Sequence, residues 1–157
     1  MFTNTKNAVK DYLNDIERMK KEIQSTFIVQ LTEDLKELQQ KYPNLDKIFV
    51  LGSTPEWNDG EECNHYSNVY ITNISDSCND EMYEYVDRVY YDEDQVPDEF
   101  LYVNVNLSVK EAQEVHGILR TANFEDCLEQ VFETNFHIII DMTSDIKVTV
   151  KDYECGY

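Results

Sequence analysis

The feature that most constrains the fold is a long N-terminal stretch that contains neither Gly nor Pro before Pro43. Its apolar residues recur three and four positions apart, the spacing that places side chains along one side of an α-helix. They are Val9, Tyr12, Ile16, Met19, Ile23, Phe27, Leu31, Leu35, Leu38 and Tyr42. The spacing predicts helix, either as one rod of about 50 Å or as two helices broken near Ser25 and Thr26.

This apolar stripe has two alternative partners. An isolated helix gains little stability in water, so the stripe must pack on something. One alternative is the rest of the domain. The other is a second copy of the chain in a coiled coil, which heptad spacing sustained over this length favours. A homodimer through the N-terminal helix, serving as a structural or scaffold component, therefore stays open beside simple domain packing.

Beyond Pro43 the pattern changes to short β-type runs. Residues 47–51 (KIFVL) predict a buried strand bounded by Gly52, and residues 63–72 predict a second strand. The turn signal Asn58-Asp59-Gly60 lies between them, so the two strands are expected to form a hairpin with a long tip. Residues 85–91 fit a strand or a helix, and the pattern does not decide between them.

The C-terminal third predicts two helices followed by two strands. Ser108, with Glu111 three residues later, has the spacing of a capping box that opens a helix through about Arg120. A second short helix is expected over residues 124–133. Strands are expected over residues 136–140 and 146–151, and the second alternates apolar and polar side chains.

These elements predict an α+β fold. A long N-terminal helix or helical hairpin and two further helices are expected to pack on a mainly antiparallel sheet of about four to five strands. Residues 1–157 are expected to form a single domain, with an N-terminal helical segment over 1–43 and an α+β body over 44–157. A chain of this length can bury a core without disulfide or metal staples.

Charge is distributed unevenly along the chain. The total is −19, yet residues 1–47 hold eight basic and eight acidic residues and are neutral. Between Glu56 and Glu99, 14 acidic residues accompany a single basic one, Arg88. Tyrosines such as Tyr66 and Tyr70 are interleaved with these carboxylates, and aromatic residues are favoured at the cores of interfaces. The segment therefore predicts a basic partner, with surface charge that serves solubility as the alternative.

The hypothesis that follows is a non-catalytic acidic binding protein. Duplex DNA presents closely spaced negative charges, and a face studded with carboxylates can occupy the same Lys/Arg cleft. The chain would act as a DNA mimic that blocks a basic nucleic-acid-handling protein, without itself binding nucleic acid or a membrane. The predicted partner-binding residues are Glu56, Trp57, Asp59, Glu61, Glu62, Asp80, Glu81, Glu84, Asp87, Tyr90, Tyr91, Asp92, Glu93, Asp94, Asp98 and Glu99.

Signals for catalysis or for a bound metal are sparse. The sequence has no glycine-rich phosphate loop, no GxSxG and no HExxH pattern, so it predicts neither an enzyme nor a cofactor. A small enzyme with a His and carboxylate site near residues 57–65 is the alternative, and His65, His116 and His137 are its candidate bases. Cys63, His65 and Cys78 carry zinc-type ligand atoms, but their spacing does not match a zinc site, and no metal is predicted.

One motif resembles a known group of proteins. Residues 52–63 (GSTPEWNDGEEC) resemble an uncharacterised family of tailed-phage and bacterial proteins, in which Thr-Pro, an aromatic residue, Asn-Asp-Gly, an acid and Cys follow in this order. Here the motif runs from Thr54 to Cys63, and residues 148–157 (VTVKDYECGY) also resemble the tail of that group. The resemblance implies a phage origin and, by analogy, an inhibitor of a host enzyme or defence system.

The N-terminal sequence bears on location. Residues 1–6 (MFTNTK) lack the basic-then-apolar layout of a secretory signal, and no stretch approaches the roughly 20 apolar residues that span a bilayer. A cytoplasmic protein is therefore expected, in the host cytoplasm if the chain is phage-encoded. The four cysteines are accordingly expected to be reduced thiols.

Overall fold

The N-terminal helix, α1, is one continuous rod in the structure, a computed structural model that describes residues 1–55, 60, 62–72 and 106–153. The helix spans Thr3–Lys41, 39 residues, which is about 58 Å at the α-helical rise. The single-rod alternative is therefore confirmed. The helix ends where Tyr42 N donates to Leu38 O at 2.9 Å, one residue before Pro43. Within the described ranges, no helix combines the length and the apolar character needed to cross a membrane.

A four-stranded antiparallel sheet forms the centre of the described fold. Its strands are β1 (Lys47–Ser53), β2 (Tyr66–Thr72), β3 (Phe136–Asp141) and β4 (Lys147–Asp152), in the spatial order β2-β1-β3-β4. β1 pairs with β2 on one side and with β3 on the other, so that Val50 lies opposite both Val69 and Ile138. The predicted antiparallel sheet and the predicted hairpin of β1 with β2 are confirmed, and β3 and β4 form a second hairpin.

Two further helices, α2 (Val109–Thr121) and α3 (Phe124–Phe132), precede the C-terminal hairpin. The predicted capping box is present, because Ser108 N donates to Glu111 Oε2 at 2.9 Å and Glu111 N donates to Ser108 Oγ at 3.3 Å. Asn123 takes a left-handed φ of 51° between the helices, a conformation that Asn tolerates better than most residues. Both helices agree with the predicted ranges to within one residue at their ends.

The main core lies between the helices and one face of the sheet. The C-terminal part of α1 is buried there through Leu31, Leu35 and Leu38. Alternate strand residues face the helices, as the pleat of a strand requires. The buried strand and helix residues of this core include Ile48, Val50, Val69, Ile71, Ala112, Val115, Leu119, Phe124, Leu128, Phe132, Phe136, Ile138 and Ile140. Ile146, Val148 and Val150 pack against it, which confirms the predicted inner face of the last strand.

The other face of the two central strands is also buried. Phe49, Leu51, Tyr70 and Ile139 form a second apolar cluster on this face. His137 is 4 % exposed, and its ring lies edge-to-face with that of Phe49, 4.6 Å between centroids. β1 and β3 are therefore buried on both faces, which explains their nearly continuous apolar sequences.

The tip of the β1–β2 hairpin is described at Gly60 and from Glu62 onward. Gly60 has a φ of 86°, the left-handed conformation that glycine adopts readily and that the Asn-Asp-Gly signal predicts. Residues 56–59 and 61 lie outside the described residues. The same holds for residues 73–105, so the choice between strand and helix for residues 85–91 stays open.

Gly52, near the end of β1, allows a close approach by an aromatic ring. It lies opposite Phe136 of β3, and a Cβ atom added to Gly52 would lie 2.5 Å from Phe136 Cζ. Carbon atoms in favourable contact are about 3.5–4.0 Å apart, so a larger residue fits only if the ring moves. The Phe136 ring has little room, because it is 1 % exposed and packs against the rings of Phe132 and His65.

Gly52→Ala is expected to lower the free energy of unfolding by about 1–3 kcal/mol, because the added methyl group overpacks the Phe136 ring. Urea denaturation followed by circular dichroism measures the change. Gly117→Ala is the matched control, since Gly117 is exposed on α2 and an added Cβ there meets nothing within 4 Å. The free energy of unfolding of the Gly117→Ala variant should exceed that of the wild type by about 0.5–1 kcal/mol, because Ala favours helix more than Gly does. A Gly52→Ala variant as stable as the wild type would contradict the close packing.

Candidate functional site

Most of the predicted partner-binding surface lies outside the described residues. Glu62 is the described member: it is exposed, and its backbone oxygen accepts a hydrogen bond from Asn64 Nδ2 at 3.4 Å. The other members, for which the structure gives no placement, are Glu56, Trp57, Asp59, Glu61, Asp80, Glu81, Glu84, Asp87, Tyr90, Tyr91, Asp92, Glu93, Asp94, Asp98 and Glu99. Their assignment stays a prediction, and the described residues show what flanks them.

The tip of the β1–β2 hairpin, here called the acidic tip, comprises residues 54–65. Contacts with described residues hold both of its ends. Thr54, directly after β1, donates from its backbone N to Asn135 Oδ1 at 3.0 Å. Its hydroxyl Oγ1 lies 3.3 Å from Nδ1 of His65, which directly precedes β2. The His65 ring in turn packs on Phe136, with 5.8 Å between ring centroids. The acidic tip therefore starts and ends at a position fixed next to the beginning of β3.

The three histidines do not share a site. His65 packs at the base of the tip, His137 packs against Phe49 on the other face of the sheet, and His116 lies half-buried on α2. Three clefts lined by described residues run along α1 or between α1 and the sheet, and none of these three includes a histidine. These clefts therefore give no support to a His and carboxylate site near residues 57–65.

The zinc-type residues at the base of the tip gain no further ligand from the described part of the chain. Cys63 and His65 are both half-buried there. No group of three or more His, Cys, Asp or Glu side chains that could hold a metal ion occurs among the described residues. His65 Nδ1 lies beside Thr54 Oγ1, and its Nε2 is buried without a hydrogen-bond partner among them. Cys78, the third candidate, lies outside the described residues.

α3 contributes carboxylates that the sequence prediction did not assign to the surface. They are Glu125, Asp126 and Glu129, and α3 contains no Lys or Arg. Ser67 Oγ donates to Glu125 Oε2 at 3.1 Å, so the first turn of α3 lies against the start of β2, next to the acidic tip. The signal in the sequence was the complete lack of Lys and Arg over residues 121–146.

The two described tyrosines of the acidic segment differ in accessibility. Tyr66, at the start of β2, is 58 % exposed and stands beside Ser67 and its contact with α3. Tyr70 is 7 % exposed, and its ring packs 6.0 Å from that of Phe49 in the second apolar cluster. The expectation that both tyrosines serve an interface is therefore wrong for Tyr70, whose ring is part of the core.

Some described carboxylates are committed to contacts within the protein. Glu133 pairs with Lys20 at 2.5 Å. The side chain and then the backbone N–H of Ser108 donate to Glu111, and these hydrogen bonds lower the pKa of Glu111 below its ordinary value. Asp126 and Glu129, by contrast, form no ion pair with a described Lys or Arg. These two carboxylates can face a partner without giving up an internal contact.

Asp141, at the end of β3, is also held within the fold. Its Oδ1 accepts from Thr143 N at 2.9 Å and from Thr143 Oγ1 at 2.6 Å, and it lies opposite both Lys47 and Lys147 in the strand register. Burial raises the pKa of Asp141, but the Thr143 hydrogen bonds and the two lysine charges outweigh burial and lower the pKa below its ordinary value. Asp141 therefore has a structural role.

Comparison with known proteins gives no match: no protein-family model, no curated protein sequence and no solved structure corresponds to this chain. The resemblance of residues 54–63 to the phage and bacterial group therefore stays a prediction. The function has to be inferred from the charges and contacts of the chain itself.

Asp141→Asn is expected to lower the free energy of unfolding at pH 7 by about 1 kcal/mol, because a charged acceptor of two hydrogen bonds becomes neutral. The pKa of Asp141 is lowered by folding, so its stabilising effect is present above the ordinary Asp pKa and is lost as the pH falls through the folded value. The difference between variant and wild type should therefore shrink below about pH 4. Urea denaturation at neutral and acidic pH measures it, and an equal difference at both would contradict the assignment.

Proposed function

We propose that the protein is a non-catalytic binding protein that offers a carboxylate-rich surface to a basic protein partner. The observation that carries the proposal is the composition of residues 56–99, where 14 acidic residues accompany one basic residue. Such an excess produces a long-range negative potential that speeds the approach of cationic partners and repels anionic ones. The proposed partner therefore carries a dense Lys and Arg surface.

The charge of the described residues supports the assignment of the binding surface to residues 56–99. The described residues hold 12 Lys and Arg against 18 Asp and Glu, a net charge of −6. Of the total of −19, the remaining −13 belongs to residues outside the described ranges. The described residues thus form a moderately charged support, on which the α3 carboxylates extend the acidic composition along the edge at β2.

The kind of partner follows from which other molecules carry negative charge at a comparable density. Duplex DNA has about one negative charge per 1.7 Å of axis, and the proteins that handle it present matching basic clefts. A carboxylate surface with exposed aromatic side chains such as Tyr66 can compete for such a cleft. The proposed activity is therefore inhibition by competition: the protein occupies the nucleic-acid site of its partner.

The motif at residues 54–63 supports a host or defence protein as the target. A phage benefits from silencing nucleic-acid-handling enzymes of its host, and competition for a basic cleft does so without any catalytic residue. On this proposal Glu62 and its neighbours in the tip contribute carboxylates to the binding surface. Thr54 and His65 hold the tip in place and do not themselves contact the partner.

Affinity capture from a nuclease-treated bacterial lysate tests the proposal. The immobilised chain should retain a basic nucleic-acid-binding protein, which elevated salt releases because exposed charges are screened over about 8–10 Å. Duplex DNA added at constant salt should also displace it. Retention that is indifferent to salt and to DNA would contradict the proposal.

A charge-neutral variant adds a matched control. Changing Asp92, Glu93, Asp94, Asp98 and Glu99 to Asn or Gln should weaken binding at least about tenfold, since each exposed ion pair contributes about 0.2–1 kcal/mol and a tenfold change corresponds to about 1.4 kcal/mol. The control variant removes five exposed carboxylates from α1: Asp11, Glu17, Glu33, Asp34 and Glu37. It has the same net charge but should bind as the wild type does. Equal losses in both variants would mean that only total charge matters, which contradicts a defined surface.

A further inference from the structure

The first 19 residues of the chain extend beyond the contacts that hold α1 to the body. Described contacts begin at Lys20, which pairs with Glu133, and continue where Gln24 Nε2 donates to Val131 O at 3.3 Å. Before Lys20 every side chain is exposed, apart from that of Ile16, which is half-buried. A helical segment of this length without tertiary packing is only marginally stable in water.

This projecting segment carries a concentration of exposed apolar side chains. Of the eleven large apolar side chains that are exposed in the described part of the chain, seven belong to the first 23 residues. They are Met1, Phe2, Val9, Tyr12, Leu13, Met19 and Ile23, each at least 52 % exposed. Scattered apolar residues on a surface are ordinary, but a contiguous row of them marks an interaction site.

The row has the spacing of a coiled-coil seam. Val9, Ile16 and Ile23 are seven residues apart, and Tyr12 and Met19 lie between them at the complementary position of the heptad. Val9, Ile16 and Ile23 occupy a positions of the heptad, and Tyr12 and Met19 occupy d positions. All three a residues are β-branched, the choice that favours two strands in a parallel coiled coil.

The seam and the face that packs on the body are different faces of α1. From Ile23 onward the apolar residues advance four positions at a time, to Phe27, Leu31 and Leu35. Three such steps in succession turn the apolar row by about a third of a turn around the helix. The buried face therefore begins where the exposed seam ends, and docking of α1 on the body leaves the seam uncovered.

The charges that flank the seam match a second copy of the same helix. Of the e positions, Lys6 and Lys20 are basic and Leu13 is apolar, and of the g positions, Asp15 and Glu22 are acidic and Ala8 is uncharged. In a parallel pair a g residue meets the next e residue of the other helix, so Asp15 would face the partner subunit's Lys20. An antiparallel pair would instead bring acidic g residues together. Asp15 already pairs with Arg18, 3.4 Å apart, and Lys20 already pairs with Glu133. Both pairs are well exposed and therefore weak enough to be exchanged or shared.

We propose that the protein forms a homodimer through a parallel two-stranded coiled coil of residues 3–23. The apolar seam, its β-branched a positions and its self-complementary flanks fit a second copy of this chain. The parallel arrangement brings the two bodies to the same end of the coiled coil. This inference does not depend on the proposed function, although a basic partner with two sites would bind such a dimer with avidity.

Sedimentation equilibrium of the full chain, from low to high micromolar concentration, tests the dimer. The wild type should approach twice the monomer mass of 18.5 kDa. Ile16→Glu should weaken association at least about a hundredfold, because it places a charge in each strand of the seam. Circular dichroism checks that the helix content of the body is retained. A wild type that stays monomeric throughout, or that forms a trimer or tetramer, overturns the proposal.

Val29→Glu is the matched control on the same helix. Val29 is 64 % exposed but lies outside both the seam and the buried face. The variant introduces the same charge and should dimerise as the wild type does. Loss of the dimer in Val29→Glu as well as in Ile16→Glu would show that the seam is not the interface.

A charge exchange tests the orientation. Asp15→Lys should weaken a parallel dimer by about threefold or more, because lysine then faces lysine across the seam. Adding Lys20→Asp to this variant should restore association. In an antiparallel dimer Asp15→Lys would strengthen association instead, and that result would overturn the proposed arrangement. A monomer that still captures a basic protein would remove the dimer and leave the proposed function intact.

Discussion

The pairing of β1 with β3 is the interaction on which the rest of the described fold depends. Both strands are central in the sheet, and both are buried on their two faces. Ile48 and Ile140 lie opposite each other and face the helices, while Phe49 and Ile139 face the second cluster. Separation of the two strands would open both cores at once. The same pairing sets the end of β1 beside the start of β3, where Asn135 holds the base of the acidic tip through Thr54.

Much of this architecture could be predicted from local sequence. The spacing of apolar residues in α1, the Ser108 and Glu111 capping box and the alternation in β4 are all set by contacts between residues close in the chain. It was harder to predict which part of α1 packs against the body. The spacing from Val9 to Tyr42 looks like one stripe, and only its four-residue steps after Ile23 distinguish the buried part from the exposed part.

The candidate site, too, could be predicted where it depends on composition and could not be predicted where it depends on contacts between residues distant in sequence. The acidic excess over residues 56–99 is a property of composition and could be predicted. The lack of Lys and Arg over residues 121–146 is also a property of composition, but it did not lead to a predicted surface on α3. The contact of Ser67 with Glu125 joins residues 58 positions apart, and no local pattern predicts it. Tyr70 was assigned to an interface because it lies among carboxylates, yet its place in a strand with two buried faces makes it a core residue. Burial on both faces is decided by neighbours that are distant in sequence.

The separation of β1 from β3 along the chain also governs how the protein folds. Phe49 and its partner Ile139 are 90 positions apart, so their pairing closes a long loop and carries a large entropic cost. The helices and the β3–β4 hairpin form from neighbouring residues, whereas sheets that join distant segments assemble slowly. During synthesis β1 leaves the ribosome well before β3 has been made, with its apolar side chains still uncovered. Apolar surface that is uncovered for such an interval is what makes nascent chains in general prone to aggregate.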